Sequence, residues 1–443
     1  MTYTWSLCFA IITLALGTTL FGFSIAELNA PENAIRRSLG LNDAQLGVAS
    51  SVFALGGLFG ALLASQTLQH IGPKKTVFVT SLLYFVGGLV KAVAQDVTLL
   101  VVGRLISGVA AGAVTVAVPL FINELAPPGS KGRLGATTQV TINVGILLTQ
   151  ILGAWCNTEH TWRIVMIAGS ALGALQAVML IGVTESPETF YKNGDKELAK
   201  KTLISLRGTE NVSEEFDTFG PSEATGNEQA SENDPLLEGT PAKADNTETG
   251  LFDFVTKKQH RVSFALVVMI MITQQFTGIN AVVMYGVAIL SNMLPQYAGG
   301  LNAAISGINL IITISASTLF DVVSHRSLLL TSIIGMTIFA LTLACGMMYN
   351  FPVLSAVGVF FFVGSFSIGL GPLPWMVAAN NVPRNSIGAA QSIALVANWV
   401  GTAVVSFAVP VAAASMGMDM VFFGFAGLGA LFFVWGFFFL PCN

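Results

Sequence analysis

The sequence predicts an all-α membrane protein with twelve transmembrane helices in two halves of six. Three observations predict it. The 443 residues are 53% hydrophobic and only 10% charged, with mean hydropathy +0.72. Soluble domains of this length do not have such a composition. Apolar runs of about 20 residues, the length that spans a hydrocarbon core, recur twelve times, and one long polar stretch divides them six and six.

The first six runs cover about 4–28, 45–69, 75–94, 99–122, 136–156 and 161–184. The second six cover about 262–292, 299–322, 326–349, 351–380, 386–411 and 417–440. The first run is too long for a cleaved signal peptide, and no small-residue cleavage site follows it. The chain therefore divides into an N-terminal half (1–184), a central loop (185–261) and a C-terminal half (262–443). The start of the loop, about 187–207, has helical composition. Residues 209–250 hold few large apolar side chains, which predicts disorder.

Sixteen of the 24 acidic residues fall between Glu185 and Asp253, so the net charge of −4 describes one loop. The rest is nearly uncharged and has no nucleic-acid footprint. The four cysteines form no C-x-x-C pair and the four histidines are scattered, so neither a metal site nor a disulfide framework is indicated. Nothing resembles a catalytic constellation or calls for a cofactor.

Lysine and arginine fix the expected orientation. With the N-terminus in the cytosol, the cytosolic connections hold Lys74, Lys75, Lys131, Arg133, nine residues of the central loop, Arg326 and Arg384. The opposite side holds Arg36 and Arg37, with Lys91, Arg104 and Arg163 near helix ends. The halves also echo one another: "PLFINELAPPGSKGRLGATTQ" (119–139) recurs in outline as "PWMVAANNVPRNSIGAAQ" (374–391). Repeated six-helix units are how many secondary carriers are built, with the site at the midplane between them.

Several separate motifs carry a family likeness. They are "FGFSIAELNAP" (21–31), "GRLISGVAAG" (103–112), "PLFINELAPPGSKGRLG" (119–135), "TESPETF" (184–190), "QQFTGINAVVMY" (274–285), "GPLPW" (371–375) and "NW" (398–399). In this order they resemble the sugar porter family of the major facilitator superfamily, nearest in flavour to fungal vacuolar-type hexose carriers. The resemblance implies the major facilitator fold and a carrier for a hexose or related polyol. It also implies that Gln139, Gln274, Gln275, Asn280, Asn309 and Trp375 contact sugar, with Trp399 a second cavity tryptophan. The chemistry suits that role, because amides offer donor and acceptor together and tryptophan offers a flat face with one N–H. Gln274 and Gln275 are adjacent, so only one can face a cavity fully. Amides in membrane helices can also simply bridge helices, and that alternative stays open here. Ser367 stands where the family often has a glutamate, and Thr402 where it often has an asparagine. Both are short hydroxyls, so the pocket should be wider at one end. Pro372 and Pro374, with Gly369 and Gly371, mark either a gating bend or a static kink.

On the cytosolic face the family resemblance implies a charge lock. Its candidates are Glu124 with Lys131, joined by Lys74, and in the second half Asp321 with Arg326. The second half of the lock is eroded, with Asn380 in place of a glutamate, and after the sixth helix Glu188 stands in place of an arginine. The loop segment "ENDPLLEG" (232–239) matches an acidic dileucine sorting signal through Glu232, Leu236 and Leu237. A clathrin adaptor and a vacuolar or lysosome-like membrane follow as expectations, with the plasma membrane second.

Glu27 is the remaining anomaly, a carboxylate near the end of a run with no other charge. Intramembrane carboxylates are costly and usually have a partner or a task. Proton-coupled sugar porters carry an aspartate at the position of Ser24, working with the arginine that matches Arg104. Serine cannot titrate, so uniport is the simplest expectation. Glu27 is then a structural or gating partner of Arg104, a displaced proton site, or a group facing water without a role. Two other functions remain in competition: a non-transporting sugar sensor, and a proton symporter using Glu27.

Overall fold

The computed structural model describes residues 4–127, 130–219, 251–291, 297–317, 323–383 and 386–440. The first half contains α1 (Trp5–Ala26), α2 (Glu32–Leu39), α3 (Asp43–Ile71), α4 (Pro73–Ala92), α5 (Val97–Leu125), α6 (Lys131–Trp155) and α7 (Trp162–Ile181). The loop contributes α8 (Pro187–Lys192), α9 (Lys196–Arg207), α10 (Ser213–Asp217) and α11 (Leu251–Thr256). The second half contains α12 (Arg261–Phe276), α13 (Ile279–Ser291), α14 (Ala298–Ser317), α15 (His325–Met348), α16 (Pro352–Ile368), α17 (Leu373–Asn380), α18 (Ile387–Met416) and α19 (Met418–Phe439).

Among the described residues, eleven helical runs are long and apolar enough to cross a membrane. The expected span 136–156 is not one of them, but it is helical as α6 and carries Gln139, Asn143 and Gln150. Local chemistry sets several boundaries. Asn42 and Gln45 form a reciprocal capping box at the start of α3. The Asp96 carboxylate accepts the Leu99 N–H at 2.8 Å to open α5. Pro73 starts α4, where its missing N–H costs nothing.

Two apolar runs each turn out to be a pair of helices. Run 262–292 breaks at Thr277–Gly278 between α12 and α13. Gly278 has φ +96°, and a Cβ there would lie 2.6 Å from the Phe425 ring. Only glycine meets both demands. Run 351–380 breaks between Ile368 and Leu373, where Gly369, Gly371 and Pro372 interrupt the ladder. The expected disorder of 209–250 also needs correction at its start, because Ser213–Asp217 is helical. Phe216 packs edge-on against Tyr191 and Phe219, and Glu215 pairs with Arg207. Two aromatic contacts and an ion pair hold a segment whose composition is otherwise polar.

Small residues bring helices of the first half into backbone contact. A Cβ at Gly60 would lie 2.0 Å from Val109 O, and one at Gly112 would lie 1.8 Å from Gly57 O, so α3 and α5 touch along their length. The same holds for α1 and α6, where a Cβ at Gly22 would lie 1.9 Å from Ile142 O and one at Gly145 would lie 2.0 Å from Thr19 O. Close approach of this kind is how membrane helices gain packing energy without a hydrophobic drive. The two halves meet along α3 against α18 and α6 against α14.

The loop helices bind the end of the bundle from which they emerge. Arg207 donates to Leu125 O at 2.7 Å and Ala126 O at 3.2 Å, satisfying carbonyls at the end of α5. The Thr4 hydroxyl donates to Leu206 O at 2.8 Å. Glu185 Oε1 accepts the Lys74 and Ser186 N–H groups at 3.0 and 3.1 Å.

Candidate functional site

Three polar assemblies lie inside the apolar bundle. The first is built on Glu27 at the end of α1. Its Oε1 receives Lys91 Nζ from α4 at 2.5 Å and Arg104 Nη1 from α5 at 3.0 Å. All three side chains are 2% exposed or less. Arg104 also donates to Ser24 O at 2.5 Å and Ala49 O at 3.1 Å, and its guanidinium lies 4.4 Å from the Phe53 ring centre. Among the described residues Glu27 Oε2, the Tyr84 hydroxyl and the Ser107 hydroxyl have no hydrogen-bond partner. Burial rules out the reading in which Glu27 faces water. The expected contact with Arg104 is present. Lys91 is the residue that sequence reasoning missed; it looked like a helix-end cation.

The second assembly is built on helices of the second half, and its Trp399 packs against α1 and α3 of the first. Gln275 Oε1 accepts Asn280 Nδ2 at 2.5 Å and the Thr402 hydroxyl at 3.1 Å, and Asn280 Nδ2 also reaches Thr402 Oγ1 at 3.1 Å. The Ser367 hydroxyl donates to Asn309 Oδ1. Both short hydroxyls that replace larger family residues therefore bond to expected sugar contacts. Gln139 is half-buried on α6 and Trp375 half-buried on α17. Trp399 is 3% exposed, packs edge-on to Phe21 and Phe53, and sits over Gly57, where a Cβ would lie 2.4 Å from its ring. Its indole N–H has no acceptor among the described residues.

Gln274 differs from its neighbour. Its Nε2 donates to Leu370 O at 2.6 Å and Gly371 O at 3.0 Å, and its Oε1 accepts Asn398 Nδ2 at 2.8 Å. Both ends of this carboxamide are taken by the break between α16 and α17 and by α18. Gln274 ties α12 to the α16–α17 break and to α18, whereas the Gln275 Nε2 donates no hydrogen bond among the described residues.

The third assembly closes the end of the bundle away from the loop. Asn29 Nδ2 donates to Val283 O at 2.7 Å, and Val287 N–H donates to Asn29 Oδ1 at 2.8 Å. Those two backbone groups are the pair that an uninterrupted α-helix joins to each other. The Asn29 amide thus ties α1 of one half into the ladder of α13 of the other. No sequence signal marked it, because an asparagine after a helix end reads as an ordinary cap or turn residue.

The expected lock at the loop end is only partly described. The Lys131 side chain, Asp321 and the Asn380 side chain lie outside the described residues, as do Glu232, Leu236 and Leu237. Glu124 faces Ser186, Glu188, Glu185 and Lys192. No ion pair joins it to Lys74 among the described residues, and Lys74 instead offers its backbone N–H to Glu185. The "TESP" turn has taken the place at Glu124 that the sequence reading gave to Lys74. Arg326 donates to Phe437 O at 2.5 Å.

The sequence model of the family described as "Sugar (and other) transporter" matches residues 10–443. The chain belongs to this sugar transporter family. Among relatives, Vacuolar protein sorting-associated protein 73 of Saccharomyces cerevisiae is 30% identical over 430 residues, covering 92% of this chain and 87% of the relative. The dog (Canis lupus familiaris) protein named solute carrier family 2, facilitated glucose transporter member 3, is 27% identical over 464 residues, covering 98% and 90%. The xylose transporter XylE of E. coli, in a partially occluded inward open conformation, superposes with a TM-score of 0.81 at 20% identity, covering 98% of this chain and 100% of that one. This sugar transporter family member is an integral, multi-pass all-α membrane protein of the major facilitator fold and is a transporter, not an enzyme.

Proposed function

We propose that the protein carries a hexose or related polyol by alternating access, as a facilitated uniporter. The observation that carries this reading is the neutral polar set on the second half: Gln275 with Asn280 and Thr402, Asn309 with Ser367, and Trp399, which packs against Phe21 and Phe53 of the first half and whose indole N–H has no acceptor among the described residues. Such a set matches a ring of hydroxyls, each both donor and acceptor. Gln139 and Trp375 complete the set by family position, and Gln274 holds the α16–α17 break.

The charged assembly supports uniport. Glu27 is shared by two buried cations, and Ser24 leaves the usual proton position without a titratable group. Neutralising Glu27 would leave Lys91 and Arg104 facing each other without an anion, which is strongly unfavourable in a buried site. We assign Glu27, Lys91 and Arg104 a structural role in the first half.

Reconstituted protein tests the reading. Labelled hexose should equilibrate across liposomes, with counterflow, and should not accumulate beyond equality under an imposed pH gradient. Accumulation driven by that gradient, abolished in Glu27→Gln while counterflow survives, would make the protein a proton symporter. Saturable binding without flux would make it a sensor. The dileucine at Leu236–Leu237, together with a yeast relative named for vacuolar protein sorting, supports a vacuolar or lysosome-like address reached through a clathrin adaptor. Replacing both leucines by alanine should move a fluorescent fusion to the cell surface; a fusion that stays put refutes the signal.

A further inference from the structure

We propose that Asn143 is a further specificity-determining residue: its carboxamide reads one hydroxyl of the sugar, oriented by Thr313. The inference rests on the sugar-carrier reading above. Asn143 lies on α6 of the first half and Thr313 on α14 of the second. Asn143 Nδ2 donates to Thr313 Oγ1 at 2.8 Å, and the Thr313 hydroxyl donates to Asn309 O at 2.8 Å. Both side chains are buried, at 3% and 6% exposure.

Their register places them at the pocket. Asn143 follows Gln139 by four residues, and Thr313 follows Asn309 by four, so each sits one turn along the same helix face as an expected sugar contact. Farther along the same pair of helices, Gly307 approaches Leu147 and Gly299 approaches Ala154. The Asn143–Thr313 bond is thus the rung of this seam nearest Gln139 among the described contacts.

The hydrogen-bond inventory gives Asn143 its role. The Thr313 hydroxyl is committed, its proton on Asn309 O and a lone pair on the Asn143 amide. Asn309 Oδ1 is drawn toward α16 by Ser367, where the family often places a glutamate. Asn143 keeps its second N–H and its Oδ1, which accepts no hydrogen bond among the described residues. A carboxamide with one donor and one acceptor in hand matches a sugar hydroxyl. A site built to hydrogen-bond a hydroxyl discriminates against an analogue that lacks it far more sharply than a site reading shape alone.

The test is counterflow of labelled hexose by wild type, Asn143→Leu and Thr313→Val, competed by the parent sugar and its single-position deoxy analogues. In wild type, the analogue lacking the hydroxyl that Asn143 reads should compete about tenfold less well than the parent. Asn143→Leu should weaken the parent to the level of that one analogue, closing the gap, while the ratios at other positions hold. Thr313→Val leaves the amide present but unanchored and should narrow the same single gap. If Asn143→Leu does not fold, Thr313→Val decides alone. Unchanged ratios, or all ratios falling together, would reduce Asn143 to a helix bridge and overturn the proposal. Wild type that exchanges no sugar in the panel overturns the carrier reading itself and this inference with it. Wild type that exchanges sugar with ratios indifferent to Asn143 overturns this inference alone.

Discussion

Lys91 Nζ lies 2.5 Å from Glu27 Oε1, and Arg104 reaches the same oxygen at 3.0 Å, so one buried carboxylate answers two buried cations. The three positions should therefore respond unequally to neutralisation. Glu27→Gln strands both cations and should cost about 3–5 kcal/mol of stability. Lys91→Met leaves a balanced Glu27–Arg104 pair and should cost about 1 kcal/mol or less, because a well-packed apolar side chain often substitutes for a buried ion. Adding Lys91→Met to Glu27→Gln should recover part of the loss. Thermal unfolding in detergent measures all three. Equal losses for the two single variants would show that the charges do not act as a unit.

The pocket amides should also couple. Gln275→Ala and Asn280→Ala should each weaken sugar binding by about 1–2 kcal/mol, the scale of a lost hydrogen bond with a buried partner left unpaired. Because the two side chains bond each other and share Thr402, the double variant should lose clearly less than the sum. Isothermal titration or counterflow competition reads the coupling. Full binding by the double variant would place the site elsewhere.

Asn29→Ala removes the tie between α1 and α13 and leaves the backbone of α13, a continuous helix over Ile279–Ser291, intact. The protein should stay folded while the end away from the loop opens more often, by about fivefold or more in population for each 1 kcal/mol lost. Spin labels at Arg37 and Tyr297, both exposed, report the separation of the halves at that end. An unchanged distance distribution would show that other contacts hold the closure.

Glu32 on α2 is expected to give a pH dependence. Burial pushes its carboxyl up to about 7, against the opposing pull of Arg36. The folded state therefore favours the protonated acid. That contribution to stability is complete below the ordinary value of 4.5 and is lost as pH rises toward about 7. The loss amounts to about 3 kcal/mol over this window. Glu32→Gln should flatten the unfolding temperature between pH 4.5 and 7. A slope retained in that variant would assign the effect to another group.

The membrane helices were legible because bilayer thickness imposes a length that apolar runs display directly. The break before Leu373 was also visible, as a bend or kink marked by Gly369, Gly371, Pro372 and Pro374, whereas the one at Gly278 emerged only from the structure. What could not be read was which side chains meet. Lys91 and Glu27 are 64 residues apart on different helices, and nothing in either segment marks the other. Gln274 and Gln275 carry the same chemistry, and only helix rotation decides which one holds the α16–α17 break. Asn143 hid for the opposite reason, as one more amide on a helix already assigned Gln139. The α10 helix was missed because its support comes from Tyr191 and Arg207, outside the segment whose composition was judged.

The backbone-to-backbone seams within the first half, Gly60 on Val109 and Gly22 on Ile142 among them, leave no slack for one helix to slide past another. Such a half is a beam, and a beam pivoted near its middle has a single angle at any instant. Drawing its far end inward through Asn29 must swing its near end outward by a comparable arc. On the proposed carrier reading, a substrate held at the pivot would meet one compartment at a time through leverage, without a plug or lid to keep the two apart.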